Sequence, residues 1–213
     1  MTDLAPGIIA TEFNDIAQKI GQIEGLTDWV HLDVMDGSLV RRNTWSAPED
    51  LKQIGGKTKI EAHLMIAQPE EILLGWLENV DRVIVHTEAT NKIPEIADAI
   101  KNTHCQLALA LMLNTPIEAV YSYLEDDSLK INTVLLMSIA QIGYSGELFD
   151  EKVLAKIKDL RTEFPNVTIK VDGGVNLSTG KLSVEAGANS LVANSAIWNS
   201  GDIKKIIEEF QKL

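Results

Sequence analysis

The chain has 213 residues, of which 45% are hydrophobic and 23% are charged, a composition typical of globular proteins. Acidic residues outnumber basic residues by 31 to 19, and the formal charge of −12 argues against nucleic acid or anionic lipid as a partner. No apolar run approaches the roughly 20 residues that a membrane-spanning helix needs, and the first residues lack the pattern of a secretory signal. We therefore expect one domain over residues 1–213, no membrane association and a cytoplasmic location.

Short apolar runs rich in β-branched residues alternate along the whole chain with longer amphipathic segments. The runs predict strands at residues 4–9, 29–33, 59–65, 82–86, 106–111, 133–137, 168–172 and 190–193. The segments between them predict helices at residues 13–24, 69–78, 93–102, 150–163 and 202–212. In the fourth of these helices, Val153, Leu154, Ile157 and Leu160 lie on one face, as expected for a helix that packs on a sheet.

This alternation of strands and helices predicts an α/β fold with parallel strands. A parallel sheet is covered on both faces, which either an open doubly wound sheet or a closed barrel achieves. Eight strand and helix units favour the barrel, so we predict a single (β/α)8 TIM barrel.

In such barrels, functional side chains collect at the carboxyl ends of the strands. Four polar side chains lie near three of these ends: His31 and Asp33 on the second strand, His63 on the third and Asp172 on the seventh. Each is a weak signal alone, because a single histidine near a strand end is more often structural. Together they form a mixed nitrogen and oxygen set, which suits one zinc, iron, manganese or cobalt ion better than calcium or magnesium.

The residues around these side chains resemble the motifs of the ribulose-phosphate 3-epimerase family. Residues 31–37 read HLDVMDG, which is similar to the best-known signature of that family. Matching motifs follow in the family's order and spacing: HLM at 63–65, VHTEAT at 85–90, VDGGVN at 171–176 and AGA at 186–188. The resemblance covers nearly the whole chain. It implies a carbohydrate epimerase of the pentose phosphate pathway that interconverts D-ribulose 5-phosphate and D-xylulose 5-phosphate.

By this resemblance, His31, Asp33, His63 and Asp172 hold one divalent metal ion, and the two aspartates also act as acid and base. Inverting a carbon next to a ketone requires removing a proton from one face and returning one to the other. Two carboxylates on opposite sides of an enediolate could do this. A divalent ion would stabilise the developing negative charge as a Lewis acid.

The resemblance also assigns residues to the substrate. Met35, Met65 and Met137 would line the reacting atoms, although methionine is also a common core residue. Backbone N–H groups of two glycine-rich turns and a helix start would hold the phosphate group. These residues are Gly143, Tyr144, Ser145 and Gly146, then Gly173 and Gly174, then Asn194 and Ser195.

Several positions depart from the family pattern. One extra residue separates Met137 from the glycine-rich turn, and Asn194 stands where the family has a glycine. Gly7 replaces a serine expected to contact a substrate hydroxyl, and Arg41 and Arg42 lie where the family has a Val-Pro-Asn run. The two arginines fit either a phosphate contact or a solvated loop.

These departures leave two other functions open. One is an epimerase that acts on a related ketose phosphate, such as allulose 6-phosphate. The other is a paralogue that binds a metal and a phosphorylated ligand without turnover, although retention of both Asp33 and Asp172 favours an active enzyme. By the family's habit, we expect a homo-oligomer with a phosphorylated ketose as its ligand.

Three other residues have side chains that could carry chemistry but are expected to have supporting or structural roles. Cys105 is the only cysteine, so it cannot form an internal disulfide, and we expect a small buried hydrophobic residue. His86 and Glu88 match family positions, and we expect them to support the site from behind or to be structural.

Overall fold

The structure is a computed structural model that describes residues 2–144 and 146–213. Within these residues, eight parallel strands close into a barrel in the order of the sequence. The strands are β1 (Asp3–Ile8), β2 (Trp29–Met35), β3 (Lys59–Met65), β4 (Arg82–His86), β5 (Gln106–Leu111), β6 (Thr133–Met137), β7 (Thr168–Asp172) and β8 (Ser190–Ala193). The predicted (β/α)8 barrel is confirmed, and the open doubly wound alternative is wrong.

Helices connect the strands around the outside of the barrel. They are α1 (Phe13–Ile23), α2 (Leu73–Leu77), α3 (Ile93–Ile100), α4 (Tyr121–Glu125), α5 (Lys152–Glu163), α6 (Leu177–Ala186), α7 (Ser195–Trp198) and α8 (Ile203–Phe210). Short 3-10 helices lie at Pro48–Gln53, Pro69–Glu71, Ile117–Val120 and Asp127–Leu129. Across the described residues, no helix has the length and apolar character needed to cross a membrane.

Six strands have the predicted bounds, and the other two differ at their ends. β1 lies one residue earlier than predicted, because Asp3 begins the ladder with Ser190 of β8. β2 continues two residues beyond the predicted end, because Val34 and Met35 still pair with β3. This extension carries the inward face of β2 further toward the open end of the barrel.

The helices differ more from prediction. The helix expected at residues 69–78 is instead the 3-10 turn Pro69–Glu71 followed by α2. α5 begins two residues late, after the Asp150 carboxylate accepts a hydrogen bond from the Lys152 backbone N–H. α1, α3 and α8 are also shorter than predicted. α4, α6 and α7 were not predicted at all.

The hydrophobic core has an outer and an inner part. The outer part lies between the strands and the helices and includes Val30, Leu32 and Val34 of β2. The inner part fills the barrel and contains the buried side chains Met35, Met65, Ile84, Leu135, Met137 and Val192. Because successive side chains alternate along a strand, the face of β2 that carries Met35 also directs His31 and Asp33 into the barrel.

Candidate metal centre and active site

The strand register brings the four predicted ligands together near the carboxyl end of the barrel. Asp33 of β2 is the ladder partner of His63 of β3, and His31 lies two residues earlier on the same inward face. Asp172 is the last residue of β7 and lies beside Met137 of β6. The inward faces of β2, β3 and β7 therefore converge on one point.

One donor atom from each of His31, Asp33, His63 and Asp172 lies within 4.8 Å of the others. Asp33 Oδ1 is 3.4 Å from His31 Nε2 and 3.1 Å from His63 Nδ1. Asp172 Oδ2 is 3.9 and 3.8 Å from the same two nitrogens. Ligand atoms about 2.1 Å from a tetrahedral ion are about 3.4 Å apart, so this spacing suits a single divalent ion. The protein thus contains a buried histidine and aspartate group that could bind a metal.

The two aspartates differ in their tendency to ionise. Burial disfavours the charged form of Asp33, but hydrogen bonds with His31 and His63 outweigh burial and hold the pKa of this carboxyl below its usual range. Burial and the negative charge of Asp33 raise the pKa of Asp172 to about 7. Neighbouring carboxyl groups with such different pKa values suit one proton acceptor and one proton donor.

Glu61 holds the orientation of the His31 ring through the ring nitrogen Nδ1, which faces away from the other candidate ligands. It is the ladder partner of His31, and its Oε1 lies 2.8 Å from His31 Nδ1. Lys170 Nζ donates to the same oxygen at 2.6 Å, and Arg82 Nη1 donates to Oε2 at 2.8 Å. Burial opposes the charged form of Glu61, but Lys170 and His31 outweigh it and hold the pKa of Glu61 below its usual range. An Nδ1–H that donates to Glu61 leaves the Nε2 lone pair of His31 free for a metal ion.

A longer chain of contacts holds His63. Its Nε2 lies 2.8 Å from His86 Nε2, and His86 Nδ1 lies 3.3 Å from Glu88 Oε2. Glu88 Oε1 accepts a hydrogen bond from the backbone N–H of Met112 at 2.8 Å. His86 and Glu88 thus lie behind the ligand group, as expected from the sequence, and both candidate histidine ligands are connected to a carboxylate.

A cavity opens from the metal-binding group toward the glycine-rich turns. Asp33, Asp172, Met65 and Met137 line its inner end. Predicted phosphate-binding residues line the rest: Gly143, Tyr144, Gly146, Gly173, Gly174, Asn194 and Ser195. The structure therefore brings the two predicted proton-transfer aspartates and most of the predicted phosphate residues to one cavity.

One predicted substrate residue lies away from the cavity, and another is outside the described residues. Met35 is fully buried and does not line the cavity, because Gly143 covers it: a Cβ at Gly143 would lie 2.8 Å from Met35 Sδ. Ser145 lies outside the described residues. Met35 therefore lies behind Gly143 of the predicted phosphate turn, and its contact with the reacting atoms stays a prediction.

Gly174 allows two loops to meet at the cavity rim. Its φ is +62°, and a Cβ there would lie 2.5 Å from the backbone nitrogen of Phe149 and 2.8 Å from the carbonyl oxygen of Glu147. Such distances exclude any side chain without a backbone shift. The loop after β7 therefore packs directly on the loop after β6, and both bound the predicted phosphate site.

Known proteins are similar to this chain in sequence and in fold. The family described as ribulose-phosphate 3 epimerase matches residues 3–198. The ribulose-phosphate 3-epimerase of Bacillus subtilis is 32% identical over 220 residues, which cover 99% of each chain. The chain belongs to the ribulose-phosphate 3-epimerase family.

A second curated relative agrees with this assignment, and a solved structure shares the fold. The ribulose-phosphate 3-epimerase of Schizosaccharomyces pombe is 30% identical, with 96% of this chain and 90% of that protein covered. A structure of KGPDC from Streptococcus mutans has a TM-score of 0.76 at 15% identity, over 99% of this chain and 96% of that one. The second likeness concerns the fold alone. The sequence-based identification of the chain as an epimerase of this family is confirmed.

Sequence reasoning missed two charged residues behind the epimerase cavity. Glu61 and Lys170 are 0% and 2% exposed and form a buried ion pair. Each lies two residues before a candidate ligand, His63 and Asp172, and so faces the barrel interior. Strand alternation alone could have placed both side chains under the metal-binding group.

Proposed function

We propose that the protein interconverts D-ribulose 5-phosphate and D-xylulose 5-phosphate by inverting the configuration at carbon 3. The observation that carries this proposal is the convergence of Asp33 and Asp172 on one metal-binding group in a chain of the ribulose-phosphate 3-epimerase family. The two carboxyl groups come from different strands, β2 and β7, and both line the cavity.

Asp33 and Asp172 supply the two proton carriers. In one direction, the carboxylate of Asp33 accepts the proton from carbon 3, which leaves an enediolate, and the protonated carboxyl of Asp172 returns a proton to the opposite face. In the reverse direction the two roles exchange. The low pKa of Asp33 and the raised pKa of Asp172 support this initial division of labour.

His31, His63 and the two aspartates would hold the divalent metal ion. The two imidazole nitrogens and two carboxylate oxygens suit zinc, iron, manganese or cobalt. When bound, such an ion would supply Lewis-acid stabilisation of the negative charge that develops on the substrate. Met65 and Met137 exclude water from the inner end of the cavity, since both are almost fully buried.

The outer end of the cavity would hold the phosphate group. Gly143, Gly146, Gly173 and Gly174 have positive φ angles, which turn the backbone sharply at the cavity wall. Asn194 and Ser195 complete this wall. Phosphate binding here would place the ketose between the two aspartates and the turns, with backbone N–H groups as the main donors.

A second candidate is an epimerase for a related ketose phosphate such as allulose 6-phosphate. It is favoured by Gly7, which lies on β1 next to the Asn194 side chain and changes the expected substrate wall. A longer ketose phosphate would have to fit between the same aspartates and the same turns.

Rates of metal-loaded protein on D-ribulose 5-phosphate and D-allulose 6-phosphate would test both proposals. We expect faster epimerisation of the pentulose, loss of activity on chelation and recovery with one divalent ion. Asp33→Asn and Asp172→Asn should each lose about 10²–10⁴-fold in kcat, the usual contribution of a general acid or base. Faster turnover of the hexulose would favour the second candidate, and binding without turnover of either sugar would mean a non-catalytic role.

The homo-oligomeric state and the cytoplasmic location remain predictions from the sequence. Light scattering on the purified protein would measure the first, and fractionation of the producing cells the second.

A further inference from the structure

The loop that follows β2 is firmly attached to the strand that carries Asp33. Thr44 Oγ1 donates to the carbonyl oxygen of Asp33 at 2.9 Å and accepts from the backbone N–H of Met35 at 2.9 Å. The Thr44 backbone N–H also donates to the carbonyl oxygen of Met35 at 2.9 Å. These three hydrogen bonds fix the returning end of the loop relative to the metal-binding group.

Arg42 reaches from this loop to Gly143 and Tyr144, which belong to the predicted phosphate turn after β6. Its Nη1 donates to the carbonyl oxygen of Gly143 at 2.8 Å, and its Cζ lies 5.6 Å from the centre of the Tyr144 ring. On the inner side, a Cβ at Gly143 would lie 2.6 Å from Val40 and 2.8 Å from Met35. The turn is therefore held between the buried end of β2 and the guanidinium group of Arg42.

Arg42 also brings positive charge to a negatively charged cavity. The described lining includes the carboxyl groups of Asp33 and Asp172 but no lysine or arginine. Across residues 2–144 and 146–213, no carboxylate oxygen lies within the 4.0 Å of Arg42 that would make an ion pair. A phosphate dianion that approaches a chain of formal charge −12 would be attracted by a cation directly behind the wall.

We propose that Arg42 is a positioning residue for the phosphate end of the substrate, an inference that rests on the proposed function. It holds Gly143 and Tyr144 at a fixed distance from the end of β2 and places a positive charge behind them. The length of the sugar chain limits the distance between carbon 3 and the phosphate group. The turn must therefore keep its distance from Asp33 for the reacting carbon to lie between the two aspartates.

The test compares Arg42→Ala with Arg41→Ala on D-ribulose 5-phosphate and on D-ribulose without phosphate. Arg41 is the matched control, because it is an exposed cation one residue away with no hydrogen bond or ion pair to a described residue. We expect Arg42→Ala to raise KM for the phosphorylated sugar about tenfold, as expected for a lost hydrogen bond to a charged group. Its kcat/KM on D-ribulose and all constants of Arg41→Ala should change less than about twofold.

Two further variants separate the contributions of Arg42. Arg42→Lys keeps the charge but loses the planar fork of donors, and Arg42→Gln keeps a donor for Gly143 but loses the charge. Each should give a KM between those of the native protein and Arg42→Ala. These conservative changes also keep the inference testable if Arg42→Ala lowers the melting temperature.

Three results would overturn the inference: an unchanged KM in Arg42→Ala, equal losses on the phosphorylated and unphosphorylated sugars, or equal losses in Arg41→Ala. If the native protein turns over neither sugar, the proposed function fails on its own. Calorimetric affinity for D-ribulose 5-phosphate then decides the role of Arg42. About tenfold weaker binding by Arg42→Ala would support it, and equal binding would overturn it.

Discussion

The side chain of Asn194 occupies the space beside the backbone of Gly7. A Cβ at Gly7 would lie 3.4 Å from Asn194 Cβ, 3.5 Å from Asn194 Nδ2 and 3.2 Å from Val192 Cγ1. β1 and β8 are neighbours in the barrel, so the two residues meet across adjacent strands. Gly7 stands where the family pattern has a serine, and Asn194 stands where it has a glycine. The side chain that is lost at position 7 is therefore compensated in volume by the side chain that is gained at position 194.

This exchange predicts coupling between the two positions. Gly7→Ser should lower kcat/KM, because its Cβ would already contact Val192 and Asn194, and its hydroxyl would crowd the Asn194 side chain at the cavity wall. Adding Asn194→Gly should restore much of the loss, with a coupling energy of about 0.5–3 kcal/mol. This coupling energy is measured from the kinetics and melting temperatures of four proteins: the native protein, the two single variants and the double variant. Simple additivity of the two changes would contradict it.

Glu61 should strengthen metal binding without touching the metal. Glu61→Gln keeps the shape of the side chain, but its amide can donate to His31 Nδ1 and so place a hydrogen on the nitrogen that faces the ligand group. We expect affinity for a divalent ion to fall about 10–100-fold. Competition with a chelator measures this affinity.

Glu24→Gln is the control for the Glu61 variant. Glu24 is exposed and accepts hydrogen bonds from Lys57 and Thr58, so its loss should leave metal affinity unchanged. Nitrogen-15 shifts of His31 in zinc-loaded protein should show Nε2 bound to metal and Nδ1 protonated. Equal affinity of Glu61→Gln and the native protein would mean that Glu61 does not orient His31.

Metal binding should depend strongly on pH. Burial lowers the pKa of His31, but hydrogen bonds with Asp33 and Glu61 outweigh burial and raise it to about 10, while the pKa of Asp172 is raised to about 7. A metal ion needs the Nε2 lone pair of His31, so it must displace the proton there, whereas Asp172 can bind through one oxygen and keep its proton on the other. The affinity should therefore rise with pH up to about 10. Calorimetry in buffers of different ionisation enthalpy should show about one proton released at both pH 6 and pH 8. An affinity that is constant over this range would contradict the prediction.

Cys105 should be unreactive in the folded protein. It is 5% exposed, and burial raises the pKa of its thiol to about 12, so almost no thiolate is present near neutral pH. Mass spectrometry should find no alkylation by iodoacetamide at pH 8 in the native state and complete alkylation in denaturant. Rapid modification of folded protein would show that the thiol is accessible.

The sequence predicted the strands well because each buried strand is a short apolar run with its own boundaries. The helix α6 could not be predicted in this way, because it has no apolar run of its own. The sequence of α6, LSTGKLSVEA, consists mostly of small and polar residues, and the helix buries Gly180, Ser183 and Ala186. A capping box formed by Asn176 and Thr179 defines its start, a local signal that apolar periodicity does not contain.

The ligand group could be predicted because two histidines and two aspartates lie at strand ends on inward faces. The contacts behind the ligand group could not be predicted, because Glu61 and Lys170 are 109 residues apart in the sequence and meet across the barrel. The link from Arg42 to Gly143 spans 101 residues between two loops, whose paths depend on packing rather than on local pattern. Long-range contacts of this kind require the closed barrel.

Proton exchange at carbon 3 is the most direct measure of the proposed chemistry. Metal-loaded protein is incubated with D-ribulose 5-phosphate in deuterated water, and carbon 3 is followed by NMR, with Asp172→Asn as the control. We predict deuterium at carbon 3 together with D-xylulose 5-phosphate, and loss of the epimer in the variant. Neither exchange nor epimer in the native protein, or an undiminished rate in Asp172→Asn, would contradict proton transfer by Asp33 and Asp172.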